Sequence, residues 1–163
     1  MSKYIVIMSG LPGSGKSTRA KELSEMLGFT IFSSDTYRKK ICGDESAQNK
    51  NREVFKALYE DAQEALNNNQ SIILDFCNVT NKAILNIYFN LDIPDEYKKY
   101  LWVMDTPIRQ CVSRDLLRER KVGLNIILRF ADNREKDPVV NTLFDNIIID
   151  KGDKDIKWFY EMF

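Results

Sequence analysis

The sequence predicts an α/β sandwich, a mostly parallel five-stranded sheet with helices on both faces. Three observations lead there. Short apolar, β-branched runs alternate along the chain with longer stretches patterned at helical spacing. A glycine-rich loop joins the first such run to the first helical stretch. No repeat, low-complexity tract or linker interrupts the 163 residues, which suit one domain with one continuous core, so residues 1–163 are expected to form a single domain.

The elements follow in order. Tyr4-Ile-Val-Ile-Met8 is a continuous apolar run ending near glycine, as a strand buried on both faces requires. After the loop, a helix is expected from Lys16 to Leu27, closed by Gly28. Thr30-Ile-Phe32 reads as a second strand and Asp35 to Ile41 as a helical turn, followed by a polar segment from Gly43 to Lys50. From Asn51 to Asn68, Val54, Leu58, Ala62 and Leu66 recur at helical spacing and mark a core-facing stripe. Ser71-Ile-Ile-Leu-Asp75 is a third strand with an acid at its carboxyl end, and Thr80 is placed to cap a helix through Leu91. Tyr100-Leu-Trp-Val-Met104 is the fourth strand. Thr106-Pro107 then offers a capping hydroxyl and a proline for a helix rich in arginine. Gly123 interrupts that helix, another runs to about Arg134 before Pro138, and Asn146 to Ile149 is the fifth strand. Trp158, Phe159, Met162 and Phe163 are spaced for core packing of a terminal helix.

Composition narrows the function. Lys plus Arg and Asp plus Glu both number 24, so any basic site must be local rather than a property of the whole molecule. The three cysteines, Cys42, Cys77 and Cys111, form no C-x-x-C pair, which argues against a disulfide framework or zinc site and fits a reducing cytoplasm. The run from Tyr4 to Met8 is too short for a signal or a membrane span, so a cytoplasmic location without a membrane partner is expected. With no histidine in the chain, imidazole-based catalysis is excluded, and carboxylates, lysine and arginine must carry the chemistry.

Gly10-Leu-Pro-Gly-Ser-Gly-Lys-Ser-Thr18 matches G-x-x-x-x-G-K-[ST], the P-loop pattern, between a predicted strand and a predicted helix. Glycines let backbone N–H groups turn inward as an anion nest, and the helix amino end adds positive potential. Gly10, Gly13, Ser14, Gly15, Lys16, Ser17 and Thr18 form the candidate nucleotide site, with Lys16 reaching the β and γ phosphates and Ser17 offering its hydroxyl to Mg²⁺. Asp75, ending an apolar strand, is the candidate companion for the metal. ATP and Mg²⁺ are therefore the expected cofactors.

A guanine-reading GTPase would need an N-K-x-D segment, and Asn81-Lys-Ala-Ile84 lacks the acid. Motors are usually larger and act as rings or tandem domains, which leaves a kinase. A kinase needs a base for the attacking hydroxyl and cations for the charge in flight. Asp35 follows the second strand near the carboxyl edge of the sheet, and Arg38 lies three residues on, on the same helical face. One would take the proton and the other anchor an acceptor phosphate; a surface ion pair is the competing reading. Arg114 and Arg118, four apart, with Arg120 and Lys121 behind them, fit a lid over residues 114–134 that lowers a guanidinium onto the γ-phosphoryl group. Pairing of these cations with Asp115 and Glu119 is the structural alternative.

With GLPGSGKST near the start, SSDTYRKK at 33–40, IILDFCNVT at 72–80 and DTPIRQCVSRDLLRERKV at 105–122, the chain resembles the P-loop polynucleotide 5′-kinases, the phage-type enzymes and the kinase modules of bacterial RNA-repair proteins. The resemblance implies a P-loop three-layer sandwich with a helical arginine-rich lid, and transfer of the γ-phosphate of ATP to a 5′-hydroxyl of DNA or RNA. It also implies Lys16 on the phosphates, Ser17 and Asp75 at the metal, Asp35 as general base, Arg38 and Asn78 at the acceptor, and Arg118 as the lid arginine, with Arg114 the competing choice. Two features depart from the family: the middle motif is Asp75-Phe-Cys-Asn78 rather than D-x-T-N, and no D-x-D-x-T phosphatase motif is present.

Two other functions fit the same loop. One is a kinase of a small-molecule or modified-base hydroxyl, such as a nucleoside, nucleotide, sugar or hydroxymethyl base; the other is a nucleotide-binding regulator without transfer. The expected partner is accordingly a single-stranded nucleic-acid end or a small acceptor, with a homo-oligomer left open by the aromatic chain end.

Overall fold

A computed structural model describes residues 1–44, 49–76, 80–118, 122–133 and 142–163. Five strands, β1 (Lys3–Ser9), β2 (Thr30–Ser33), β3 (Ile72–Asp75), β4 (Tyr97–Met104) and β5 (Asn146–Asp150), form one sheet in the order β2-β3-β1-β4-β5. Every pairing is parallel. Among the described residues six α-helices accompany them: α1 (Lys16–Leu27), α2 (Ser34–Cys42), α3 (Asn51–Asn67), α4 (Asn81–Asn90), α5 (Ile108–Leu116) and α6 (Leu124–Asn133).

Alternation along β1 builds the layers. Ile5 and Ile7 face one side with Ile72, Leu74 and Leu101, and are covered by Leu58, Ala62 and Leu66 of α3 and Ile84 and Ile87 of α4. Tyr4, Val6 and Met8 face the other side with Ile73 and Trp102, under Ala20 and Leu23 of α1 and Phe159. The sheet lies between two covering layers, the three-layer α/β sandwich expected of a P-loop nucleotide-binding fold.

The order places the site. From β1 the chain crosses to β2, whereas from β3 it crosses the other way to β4, so connections diverge around the central strand. Ligands of open α/β sheets bind outside the carboxyl ends at such a switch point. Residues 10–15 leave β1 there.

Several element ends follow the sequence closely. Gly28, at φ 74°, closes α1 by donating its N–H to Ser24 O, and Thr80 caps α4 by accepting from Ala83 N at 3.1 Å. Others differ. The fourth strand begins at Tyr97, three residues before the apolar run, because the main chain of Lys98 and Lys99 pairs in the sheet whatever their side chains do. The arginine-rich helix ends at Leu116, well before Gly123. The terminal segment is a 3-10 helix, Ile156–Met162, in which Phe159 is buried while Trp158 is 58 % exposed. Three residues per turn carry Trp158 away from the face that Phe159 presents. Residues 77–79, 119–121 and 134–141, with the expectations resting on Asn78, Cys77, Glu119, Arg120, Lys121 and Pro138, lie outside the described residues.

Candidate active site

The glycine loop is shaped for close backbone approach. Gly13 and Gly15 have φ of 81° and 91°, conformations that a side chain resists, and a Cβ on Gly13 would stand 2.4 Å from the Cys111 carbonyl oxygen. A Cβ on Gly10 would stand 2.6 Å from Ser14 Oγ. The loop turns on a 3.0 Å bond from Ser14 N to Leu11 O, and Gly15 then starts α1 without any side-chain cap. An uncapped helix amino end leaves its first N–H groups for solvent or a ligand.

Lys16 opens that helix, and its ammonium donates to Asp75 Oδ1 at 2.8 Å. Asp75 is 4 % exposed at the end of β3, directly beside β1. Ser17 and Thr18, on the same turn, are exposed. No cluster of three or more His, Cys, Asp or Glu suited to a metal exists among the described residues. A hydroxyl and one carboxylate of hard oxygen character suit Mg²⁺, which commonly takes one or two protein ligands together with phosphate oxygens and water.

The register of β2 on β3 sets the next group. Ser33 lies opposite Asp75, so α2 begins one strand away from the lysine–aspartate pair. Asp35 sits in the first turn of α2, where an acid complements the helix dipole. Arg38 Nη1 donates to Asp35 Oδ1 at 3.2 Å and to Ser34 Oγ at 3.3 Å, while its Nε donates to Asn51 Oδ1 at 3.2 Å. The arginine side chain is 13 % exposed and the aspartate 41 %, so the cation's half of the pair is withdrawn from solvent and the carboxylate is open to it.

On the opposite flank, α5 is fastened to the loop. Thr106 Oγ1 donates to Ser14 O at 2.7 Å, so the hydroxyl expected to cap α5 instead ties the loop, and Pro107 precedes the helix with no side-chain cap. Arg114 Nη1 reaches Gly13 O at 3.3 Å. Arg118 lies beyond the helix end, 39 % exposed, with Nη1 3.9 Å from Asp115. The two arginines thus do not share a helical face. Asp115 itself is buried and accepts from Val122 N and Gly123 N at 2.7 and 2.8 Å, closing the chain between α5 and α6. The structure brings together Gly10 to Thr18, Asp75 and Arg114, sets the helix of Asp35 and Arg38 one strand away, and leaves Arg118 beyond the end of α5 against Asp115.

Sequence reasoning passed over Arg19. It is buried in α1, with Nε 2.6 Å from Asp150 Oδ2 and Nη1 2.8 Å from Glu22, and its guanidinium is stacked 5.2 Å from the Phe159 ring. Asp150, fully buried at the end of β5, also accepts from Trp102 Nε1 and Gly152 N. A charged residue in the helix after the loop was the available signal, but its partner lies 131 positions away.

The sequence matches the AAA domain family over residues 5–136. The chain belongs to that family. No curated protein matches it. Among solved structures, this AAA domain is similar to a candidate kinase from Chloroflexus aurantiacus J-10-fl, with TM-score 0.72, 17% identity, and 99% of this chain and 93% of that one covered. It is similar to a gluconokinase from Sinorhizobium meliloti 1021, with TM-score 0.61, 14% identity and coverage of 98% and 87%. It is also similar to a chain of the Pnkp1/Rnl/Hen1 RNA repair complex, with TM-score 0.71, 18% identity, and 81% of this chain but 44% of that chain covered. At such identities the likeness is one of fold. The AAA domain has the P-loop kinase-like fold of these neighbours.

Proposed function

We propose that the protein is an ATP-dependent kinase that moves the γ-phosphate to a 5′-hydroxyl of DNA or RNA. The observation that carries this reading is the Ser33–Asp75 register, which stands the Asp35–Arg38 pair one strand from the Lys16 ammonium. A phosphate donor site and a carboxylate–guanidinium pair for a phosphate-bearing alcohol then share one edge of the sheet.

In this reading the nest at Gly13 and Gly15 and the amino end of α1 hold the triphosphate, and Lys16 leaves Asp75 to meet its β and γ oxygens. Ser17 and Asp75 would hold Mg²⁺, which would supply neutralisation of phosphate charge. Asp35 accepts the proton of the hydroxyl as its oxygen attacks the γ-phosphorus; the bond to the β–γ bridging oxygen breaks and ADP departs with that electron pair. Arg38 binds a phosphate next to the reacting hydroxyl, and Arg114, held against Gly13, supplies the cation for the group in transit.

A second reading, transfer to a small-molecule or modified-base hydroxyl, draws on the gluconokinase neighbour. It matches 98% of the chain, against 81% for the RNA repair chain. Incubation with γ-labelled ATP, Mg²⁺ and 5′-hydroxyl DNA and RNA, hydroxymethyl-base DNA, nucleosides, sugars or water separates the two. Label on the 5′ end, absent with Asp35→Asn, upholds the first reading; label on a sugar or base hydroxyl alone replaces it with the second.

A further inference from the structure

We infer that Asn51 and Phe55, in the first turns of α3, are positioning residues that fix the Arg38 guanidinium for an acceptor bearing an anionic group beside its hydroxyl. The inference rests on the reading of Asp35 and Arg38 as the acceptor pair. Asn51 and Phe55 are four apart on one helical face and meet Arg38 in two different ways. Asn51 Oδ1 accepts from Nε at 3.2 Å, and the Phe55 ring lies 5.7 Å from the guanidinium carbon. With Ser34 and Asp35 on Nη1, the guanidinium is held on one edge, one corner and one face. Among the described residues, Nη2 is the guanidinium nitrogen left without a hydrogen-bond partner.

Phe55 is itself fixed. Its ring packs edge-on against Phe76 at 5.3 Å and lies 6.1 Å from Tyr59. Phe76 is buried and directly follows Asp75, so the support under Arg38 is continuous with the strand that carries the partner of Lys16. Helix capping does not account for Asn51, because Lys50 is the residue preceding α3. An arginine already confined to one rotamer loses little further freedom when it binds an anion, which is the benefit of this support.

The test measures KM and kcat for a nucleoside 3′-phosphate and for the same nucleoside without phosphate, in the wild type, Asn51→Ala, Phe55→Leu and Phe55→Tyr. Loss of a hydrogen bond to the guanidinium in Asn51→Ala, and of the ring beside it in Phe55→Leu, predicts that each raises KM for the phosphate-bearing acceptor about tenfold. KM for ATP stays put, and Phe55→Tyr, which keeps the ring, behaves like the wild type. Should Phe55→Leu fail to fold, Asn51→Ala decides alone. An unchanged acceptor KM, or equal changes for both acceptors and ATP, overturns the inference while leaving the 5′-hydroxyl kinase standing. Failure of the wild type to phosphorylate either nucleoside or any 5′-hydroxyl oligonucleotide sinks the kinase reading itself, and this inference with it.

Discussion

The Lys16 ammonium lies 2.8 Å from Asp75 Oδ1, with the two side chains 12% and 4% exposed. Removing one partner strands a largely buried charge, which costs about 3 kcal/mol, whereas removing both can be nearly neutral. Lys16→Met and Asp75→Leu should each lower the urea midpoint, and the double variant should recover most of the loss. Transfer should remain absent in Lys16→Met and in the double variant with every acceptor. Near-wild-type transfer in Lys16→Met would contradict the assignment of the loop.

Arg114 and Arg118 make different predictions because only the first is at the loop. Arg114 Nη1 is 3.3 Å from Gly13 O, while Arg118 reaches toward the buried Asp115 carboxylate. Removing a donor aimed at developing charge typically costs ~10²-fold in kcat. Arg114→Ala should therefore lower kcat at saturating ATP by about that factor, with Arg118→Ala within roughly threefold of wild type. The reverse ranking would move the role to Arg118.

Asp35→Asn keeps an oxygen for Arg38 but cannot take a proton at neutral pH. Turnover should fall by ~10² or more while ATP affinity, read by titration calorimetry, is retained. Full activity would remove Asp35 from the mechanism and leave its pairing with Arg38 structural.

The loop, its strand and its helix were legible because their signals are local: glycines at left-handed positions, an apolar run, and a capping glycine at residue 28. Asp35 and Arg38 were legible because three residues on a helix fix their mutual distance. What sequence could not supply was pairing across the sheet. Thr106 looked like a cap, yet its hydroxyl serves Ser14, 92 residues away. The expected common face of Arg114 and Arg118 required a helix that continued past Leu116, and the carboxylate of Asp115 turns the chain instead. Arg19 carried no sign of burial, since its neutralising Asp150 belongs to the last strand.

Burial pushes the phenols of Tyr59 and Tyr88 up from 10.0 to about 12, with Asp145 adding to the effect at Tyr88. A tyrosine raised in the folded state keeps its proton where the unfolded chain has lost it, so unfolding binds fewer protons and stability falls with pH. Denaturant midpoints should be insensitive to these groups below about pH 10 and decline between about pH 10 and 12. Tyr59→Phe should make that decline shallower. An unchanged alkaline slope in the variant would remove Tyr59 as a cause.

Arg19 and Asp150 join the helix after the glycine loop to the last strand of the sheet. The bond from Nε to Oδ2 is 2.6 Å, Nη2 adds a 2.9 Å bond to Lys154 O, and the side chains are 7% and 0% exposed. The carboxylate is further occupied by Trp102 Nε1 at 2.9 Å and Gly152 N at 2.8 Å. Arg19→Met would preserve much of the packing against Phe159 but leave Asp150 without its cation, a loss of about 3–5 kcal/mol. Asp150→Asn keeps one acceptor oxygen, so its NH2 faces either Trp102 Nε1–H or Gly152 N–H, and with Arg19 left beside a neutral amide it should cost at least as much. Urea unfolding at constant m-value is the measurement. A loss below about 1 kcal/mol for Arg19→Met would show that the carboxylate is satisfied by Trp102 and the main chain alone, and that the arginine contributes packing rather than charge.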